Sequence, residues 1–387
     1  MNSLHKFGVK GVGKSAAVVA VCAAVLAGCG PQDGQKEFAA AKTAYEVRDL
    51  AKADKLLAES LKFAADDVDI LLYAARVKLE LGELTAAREV WDKANALAAK
   101  DVDVQILGAQ LKYHAKDYAA AKKVYAELAA DEKLDKNVRA QALAELGVVE
   151  CTEDNFDIAR LAFLKAIRLD RRNAAARYHL GLLYRDGFGF NDAALEQFET
   201  FVRLEVVADA RVQKVQRTLI PNLKEAIARQ AAETPGAEKR DSAASAAALS
   251  KAEAALKKKD YKTAKKEYQK ACEADVLSYP AALGLAEVWA KTDASTAGQK
   301  KTLEYYRKAC ALKASAVRTF VTTGELAYKL GSYATAVDSY SRAVAANPSD
   351  LTALDGLIRS LQKVGGRRKD AAAYQAYRDL VAASRKR

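Results

Sequence analysis

Residues 317–348 read VRTFVTTGELAYKLGSYATAVDSYSRAVAANP. Apolar and small side chains recur at helical spacing on both sides of Gly331, so the stretch predicts two amphipathic helices joined by a tight turn. Small residues such as Ala336 let the two helices approach closely, and the ring of Tyr340, four residues on, fills the gap to the next helix pair. Neither helix could bury its apolar face alone. The stretch therefore predicts one unit of a repeating array.

A small residue followed four positions later by a larger apolar or aromatic one recurs along the chain. The first three pairs lie 34 residues apart, later steps range from 34 to 38, and 70 residues separate Ala194 from Ala264, which is room for one further unit. The pairs are Ala53/Leu57, Ala87/Trp91, Ala121/Tyr125, Ala159/Phe163, Ala194/Phe198, Ala264/Tyr268, Thr302/Tyr306 and Ala336/Tyr340.

This period and pattern resemble the tetratricopeptide repeat, and the unit 317–348 is a near-consensus copy. The resemblance implies an all-α fold, an α/α solenoid of about eight to nine helix-turn-helix repeats forming a right-handed superhelix. Residues 178–189, YHLGLLYRDGFG, depart from the pattern. They resemble a Sel1-like repeat, from a sister family, which has a longer glycine-rich turn.

The pattern divides the chain into two arrays. Residues 36–204 form the predicted N-terminal array and residues 242–387 the C-terminal one, whose basic end, Ser384-Arg385-Lys386-Arg387, would act as the polar cap of the array. Between them, residues 205–241 read as a helical stretch broken at Pro221. This segment is either a degenerate repeat that keeps the stack continuous or a hinge between the arrays.

The N-terminus reads as a secretory signal peptide over residues 1–28, because lysines precede an uncharged apolar run from Ala16 to Ala27. Leu26-Ala27-Gly28-Cys29 resembles the lipobox of bacterial lipoproteins, which implies acylation of Cys29. Residues 29–35 would form a lipid-anchored tether. Because Gly30 rather than Asp follows the anchor, the resemblance favours the outer membrane, facing the periplasm.

The formal net charge of the chain is +12, and removing the three lysines of the signal peptide, Lys6, Lys10 and Lys14, leaves +9. A basic surface favours anionic lipids, polysaccharides or acidic proteins, and export disfavours nucleic acid. Residues 257–270 are rich in lysine and include Tyr261 and Tyr268. Both tyrosines occupy repeat core positions, so they are predicted to be buried and the lysines to form a solvated face.

The mature sequence contains no pattern typical of an enzyme. His114 and His179 lie at no metal-binding spacing and are interpreted as surface or groove residues, so neither a metal nor a cofactor is predicted. Cys151, Cys272 and Cys310 are predicted to be structural thiols, because their spacing is unlike a metal site or a disulfide framework. No catalytic residue is assigned.

In tetratricopeptide proteins, partners contact the first helix of each repeat on the concave face. Carried over to this sequence, the resemblance implies a concave-face set of ten residues, and aromatic and Arg side chains within it are frequent interface anchors. The set is Tyr73, Arg76, Gln110, Tyr113, His114, Tyr178, His179, Arg185, Glu325 and Tyr328.

These observations predict a membrane-anchored scaffold of the bacterial cell envelope that binds other proteins or peptides. It would help to assemble or stabilise a complex of the pilus, secretion or polysaccharide-export type. The alternative is a protein that binds a glycan or an anionic cell-wall polymer through its basic faces. A third possibility is an accessory subunit that carries the substrate of an enzyme.

Overall fold

The computed structural model describes residues 34–205 and 210–385, and every regular element in those ranges is helical. The prediction of an all-α fold is therefore confirmed. The described chain divides into two compact units: unit 1 comprises 34–154 and 166–175, and unit 2 comprises 155–165 and the described residues from 176 onward. The predicted signal peptide, Cys29 and residues 30–33 of the tether lie outside the described residues.

Unit 1 is built from antiparallel helix pairs. Helices α1 and α2, α3 and α4, and α5 and α6 pack as pairs, each pair packs on the next, and α7 packs on α6. The bounds are α1 Gln35–Glu46, α2 Leu50–Phe63, α3 Val68–Leu81, α4 Leu84–Ala98, α5 Val102–His114, α6 Tyr118–Ala130 and α7 Lys136–Thr152.

Helices α8 and α9 each contribute residues to both units, and the helices after them belong to unit 2. Within unit 2, α13 to α20 pack in consecutive pairs. The bounds are α8 Phe156–Leu169, α9 Ala174–Leu182, α10 Asn191–Leu204, α11 Ala210–Lys214, α12 Ile220–Ala232, α13 Ser242–Lys257, α14 Tyr261–Ala274, α15 Tyr279–Thr292, α16 Thr296–Leu312, α17 Val317–Lys329, α18 Tyr333–Ala346, α19 Leu351–Lys363 and α20 Arg368–Ser384.

Short polar residues set where many of the helices begin. An aspartate or serine just before the helix accepts a hydrogen bond from a backbone N–H of its first turn, which satisfies a donor that has no partner within the helix. Six helices with such a cap are α2, α3, α5, α6, α14 and α19, capped by Asp49, Asp67, Asp101, Asp117, Asp260 and Asp350.

In several repeats, the large residue packs against a glycine of a neighbouring helix. A Cβ atom built on Gly356 would lie 2.2 Å from the ring of Tyr340, and one on Gly324 would lie 2.8 Å from it. The ring, 1% exposed, is therefore held between the first helix of its own repeat and that of the next. Gly108 against Trp91 and Gly284 against Tyr268 repeat the contact. This packing explains the spacing found in the sequence.

The segment around Pro221 differs from its prediction. The chain is not broken there, because α11, a π-helical turn at Val215–Leu219 and α12 follow one another directly from residue 210 to 232. Pro221 lacks a backbone N–H, and the wider π turn just before it accommodates the missing hydrogen bond. The resulting helix packs against α10.

A buried polar network joins α8 to the last helix within unit 2. Arg160, which is 0% exposed, donates from Nη2 to the Asp157 carboxylate at 2.7 Å and from Nε to Tyr374 Oη at 2.7 Å. Arg367 forms an ion pair with the other oxygen of Asp157. The C-terminal helix α20 is thereby fixed to a helix about two hundred residues earlier in the chain.

Candidate partner-binding surfaces

Tyr73 and Arg76 belong to an aromatic and cationic surface on unit 1. The Tyr73 ring meets Phe38 edge-on at 5.3 Å between centroids and Tyr45 at 6.0 Å. Lys42 Nζ lies 3.8 Å from the Phe38 ring centroid, and Arg76 Cζ lies 5.7 Å from that of Tyr73. Tyr73 and Arg76 are both half-buried, so each keeps part of its side chain available to a partner. Phe38 itself is only 4% exposed and belongs to the hydrophobic core, so the surface over it, which we call the aromatic face, consists of Lys42, Tyr45, Tyr73 and Arg76.

Gln110, Tyr113 and His114 follow one another along α5. Gln110 and Tyr113 are half-buried and His114 is exposed. The Tyr113 ring contacts His114 edge-on at 5.4 Å, and its hydroxyl lies 3.1 Å from Thr152 Oγ1 on α7. These contacts hold the phenol ring in one orientation at the surface of unit 1, as a recognition residue requires.

Glu145 is a buried carboxylate that the sequence did not single out. It is 8% exposed, its carboxylate is hydrogen-bonded to Gln110, and its Oε1 has no hydrogen-bond partner among the described residues. Burial raises the pKa of Glu145 to about 7. Because the charged carboxylate would lose its hydration on burial, the fold favours the neutral, protonated form of Glu145 beneath Tyr113 and Gln110.

Tyr178 and His179 are buried, at 1% and 5% exposure, rather than lying on the surface or in a groove. Arg211 Cζ, from α11, lies 5.7 Å from the Tyr178 ring centroid, and the imidazole of His179 stacks on Phe163 at 6.0 Å. Burial lowers the pKa of His179 to about 3, so the ring is neutral. Tyr178 also packs against the rings of Phe198 and Phe201 on α10. These contacts remove both side chains from the accessible part of the concave-face set.

The last three residues of the concave-face set occupy separate places in unit 2. Arg185 is half-buried and forms an ion pair with the neighbouring Asp186 at 2.5 Å. On α17, Glu325 is exposed, whereas Tyr328 is half-buried with its ring 5.3 Å from Tyr333. None of the three lines the groove described next.

Unit 2 contains a groove made of three neighbouring cavities of about 260, 430 and 550 Å³. Asp192 on α10 and Ala314, between α16 and α17, line all three, so the cavities adjoin one another. The largest has a mainly apolar wall that includes Ile227, Val276 and Leu277. Volumes in this range are typical of ligand sites. The sequence pattern missed the groove, because its walls come from helices distant in sequence.

Charged side chains of both signs line the groove of unit 2. They include Asp192 and Glu196 on α10 and Arg307 on α16. Asp192 and Arg307 are exposed and have neither a hydrogen bond nor an ion pair in the described ranges, so both remain available to a bound segment. By contrast, Arg342 on α18 pairs with Asp338 at 3.1 Å and lies 4.4 Å from the Phe190 ring centroid.

The thiols of the two units are free. Cys151 is buried, and Cys272 and Cys310 are half-buried. Burial raises the thiol pKa to about 12 for Cys151 and to about 11 for each of the other two, so all three are protonated at neutral pH.

Among residues 34–205 and 210–385, no three His, Cys, Asp or Glu side chains converge as metal ligands would. In the same ranges, no helix is long and apolar enough to cross a bilayer.

No family model and no curated protein matches the sequence. In structure, the chain is similar to MamA from residue 41 onward of Desulfovibrio magneticus RS-1, with 20% identity over 46% of this chain and 98% of that one and a TM-score of 0.34. It is also similar to pilF of Pseudomonas aeruginosa, with 18% identity over 52% of this chain and 94% of that one and a TM-score of 0.38. A third similar structure is the Cut9–Hcn1 hetero-tetramer of the APC/C, with 13% identity over 90% of this chain and 79% of that one and a TM-score of 0.36. Sequence identities and TM-scores this low give no information on a partner or an activity of this chain.

Proposed function

We propose that this protein is a non-catalytic scaffold of the bacterial cell envelope that binds a segment of another protein in the groove of unit 2. The observation that carries the proposal is the groove itself. It joins an apolar cavity of about 550 Å³ to a polar one of about 430 Å³, in which Asp192 and Arg307 have no hydrogen-bond or ion-pair partner among the described residues. An extended peptide could place an apolar side chain in the first cavity and its backbone in the second.

The aromatic face of unit 1 is the second proposed contact. Aromatic rings with cations beside them are typical of interface anchors, because they bury much area at a small cost in conformational entropy. Tyr113, held by Thr152, extends the same kind of surface along unit 1. A partner that reaches both units would gain affinity from two tethered contacts without a larger groove.

The place of action in this proposal comes from the N-terminal sequence. Acylation of Cys29 would hold the protein at a membrane, and the residue after it favours the outer membrane, facing the periplasm. The proposed role is then to assemble or stabilise an envelope complex. Metabolic labelling with an alkyne fatty acid, in the native chain and in Cys29→Ala, tests the anchor directly: only the native chain is expected to be labelled.

Site-specific photo-cross-linking tests the groove. A photoreactive residue in place of Ala311, an exposed position that lines two of the cavities, is expected to give one discrete cross-linked partner in living cells. The matched control replaces Glu225, which is exposed on α12 and lines none of the three cavities. It is expected to give no such product.

Charge reversal links that product to the groove. Asp192→Arg and Arg307→Glu are each expected to weaken cross-linking from position 311 at least about tenfold, because each leaves an unfavourable charge facing the bound segment. Glu225→Arg and Lys363→Glu change the charge equally at exposed sites outside the groove and should leave the product unchanged. A product that all four variants retain, or no product at all, would contradict binding in the groove.

A further inference from the structure

The helix pair α13 and α14 carries a concentration of lysine that has little compensation in unit 2. In the described residues, seven of its eight lysines form no ion pair, and only Lys270 does so, with Glu267 at 2.6 Å. Residues 257–266 alone contain six lysines and one aspartate, a net charge of +5. The eight are Lys251, Lys257, Lys258, Lys259, Lys262, Lys265, Lys266 and Lys270, and we call them the lysine corner.

The lysine corner is one continuous surface. On α14, the lysines at 262, 265, 266 and 270 follow helical spacing along one face, while Ala264, Tyr268 and Ala271 on the opposite face are buried. Tyr268 is thus buried as the sequence predicted, whereas Tyr261 is only half-buried. Lys257 ends α13 and the lysines at 258 and 259 lie in the turn before α14, and all three are exposed.

The carboxylates near the lysine corner do not neutralise it. Asp260 is engaged in capping α14, where it accepts from the Thr263 backbone N–H at 3.0 Å. Glu267 accepts from Lys270, and that hydrogen bond, with the charges of Lys251 and Lys266, lowers its pKa. From Ser242 to Ala274, with Glu253 and Glu273 included, eight lysines face four carboxylates, which leaves a net charge of +4 on the helix pair.

Two lysines of the corner have contacts within unit 2. Lys265 Nζ lies 3.0 Å from the Trp289 ring centroid, and Lys270 pairs with Glu267 at 2.6 Å. In the described residues, the other six make neither an ion pair nor a contact with an aromatic ring, so their charges are available to a partner.

We propose that the lysine corner is a docking surface for a membrane that contains anionic phospholipids. Lysine is a hydrated point charge that needs no bidentate geometry, so eight lysines without an arginine suit a layer of mobile phosphate headgroups. The large exposed apolar residues of the described chain, Val47, Phe63, Leu81, Leu97 and Leu380, all lie outside α13 and α14. Docking is therefore peripheral and electrostatic, and it weakens with salt.

Vesicle co-sedimentation tests the proposal with the full chain carrying Cys29→Ala, which excludes an acyl anchor. The probes are phosphatidylcholine vesicles with and without phosphatidylglycerol, at low and at physiological ionic strength. Binding is expected to require phosphatidylglycerol and to fall with salt. Because each lysine near an anionic surface contributes about fivefold to partitioning, Lys258→Gln/Lys262→Gln/Lys266→Gln should weaken binding about 100-fold.

The matched control is Lys300→Gln/Lys329→Gln/Lys363→Gln, which removes the same charge from exposed positions outside the lysine corner. This control should change partitioning by less than about threefold. Both triple variants contain the same apolar N-terminal segment, so that segment does not contribute to the difference between them. Equal losses in the two triple variants, or equal binding to vesicles without phosphatidylglycerol, would overturn the proposal. So would binding to soluble polyphosphate but not to vesicles. Cross-linking from position 311 should persist in the lysine-corner variant, so the failure of one proposal is distinguishable from that of the other.

Discussion

Tyr374 donates a hydrogen bond from its hydroxyl to the Asp157 carboxylate at 2.6 Å, although 217 residues separate them in sequence. The same hydroxyl accepts from Arg160 Nε at 2.7 Å, so the phenol stands between a buried cation and a buried anion. Since a buried charge is costly unless it is paired, the stability of unit 2 depends on this contact between its first and last helices.

Asp157→Ala is expected to lower the free energy of unfolding of unit 2 by about 3–5 kcal/mol, because it leaves Arg160 buried without its anionic partner. Chemical denaturation followed by circular dichroism measures the loss. The matched control is Glu304→Ala, which removes a surface pair with Lys308 at 3.0 Å and should cost less than about 1 kcal/mol. Similar losses for the two variants would show that the network does not stabilise the unit.

Gly356→Ala is expected to destabilise unit 2 by about 1–3 kcal/mol, because the added Cβ would meet the Tyr340 ring at 2.2 Å. Gly365→Ala is the control, since nothing lies within 4 Å of its Cβ position. It should change stability by less than about 0.5 kcal/mol. Introducing Tyr340→Leu should reduce the loss caused by Gly356→Ala, and a loss that is purely additive would contradict the packing argument.

Unit 1 is expected to lose stability as the pH rises. The pKa of Glu145 is raised to about 7 in the fold, so the folded protein binds the proton more tightly than the unfolded chain, whose ordinary value is 4.5. The contribution is present below pH 4.5 and is lost as the pH rises through 7, up to about 3 kcal/mol. Unfolding midpoints at pH 5 and pH 8 measure it. Glu145→Gln should abolish this part of the pH dependence, and an unchanged profile in that variant would refute the assignment.

Unit 2 is expected to show the opposite dependence through His179. Its pKa falls from an ordinary 6.5 to about 3 in the fold, so the contribution is present above pH 6.5 and is lost as the pH falls toward 3. His179→Phe keeps an aromatic ring against Phe163 and removes the titration. The variant should unfold at a lower pH than the native chain in an acid titration followed by tryptophan fluorescence. Unfolding at the same pH would indicate that other groups control the acid limit.

The helices and most of their core residues were predictable from the sequence, because the repeats bury small and aromatic residues at a fixed spacing. The pairs Ala336/Tyr340 and Ala159/Phe163 are buried as that spacing predicts. The predicted break of the helix at Pro221 was wrong, since a π turn lets the helix continue past the proline. The continuous helix packs against α10, and a local sequence pattern contains no information on that contact.

The candidate surfaces were only partly predictable. Tyr73, Arg76 and Tyr113 lie on accessible faces of unit 1, whereas Tyr178 and His179 are buried by side chains of other helices. Position in a repeat indicates which side of a helix a residue occupies, but not whether a later segment covers that side. The groove of unit 2 was missed for the same reason.

The all-α class, the repeat period, most core residues and the basic charge of α13 and α14 were predictable from the sequence alone, because these follow from spacing and composition within a few tens of residues. The surfaces that stay open, the presence of Asp192 and Arg307 in one groove, and the Asp157–Arg160–Tyr374 network appear only in the folded chain. These depend on side chains far apart in sequence, and only the packed fold sets their distance, burial and charge environment.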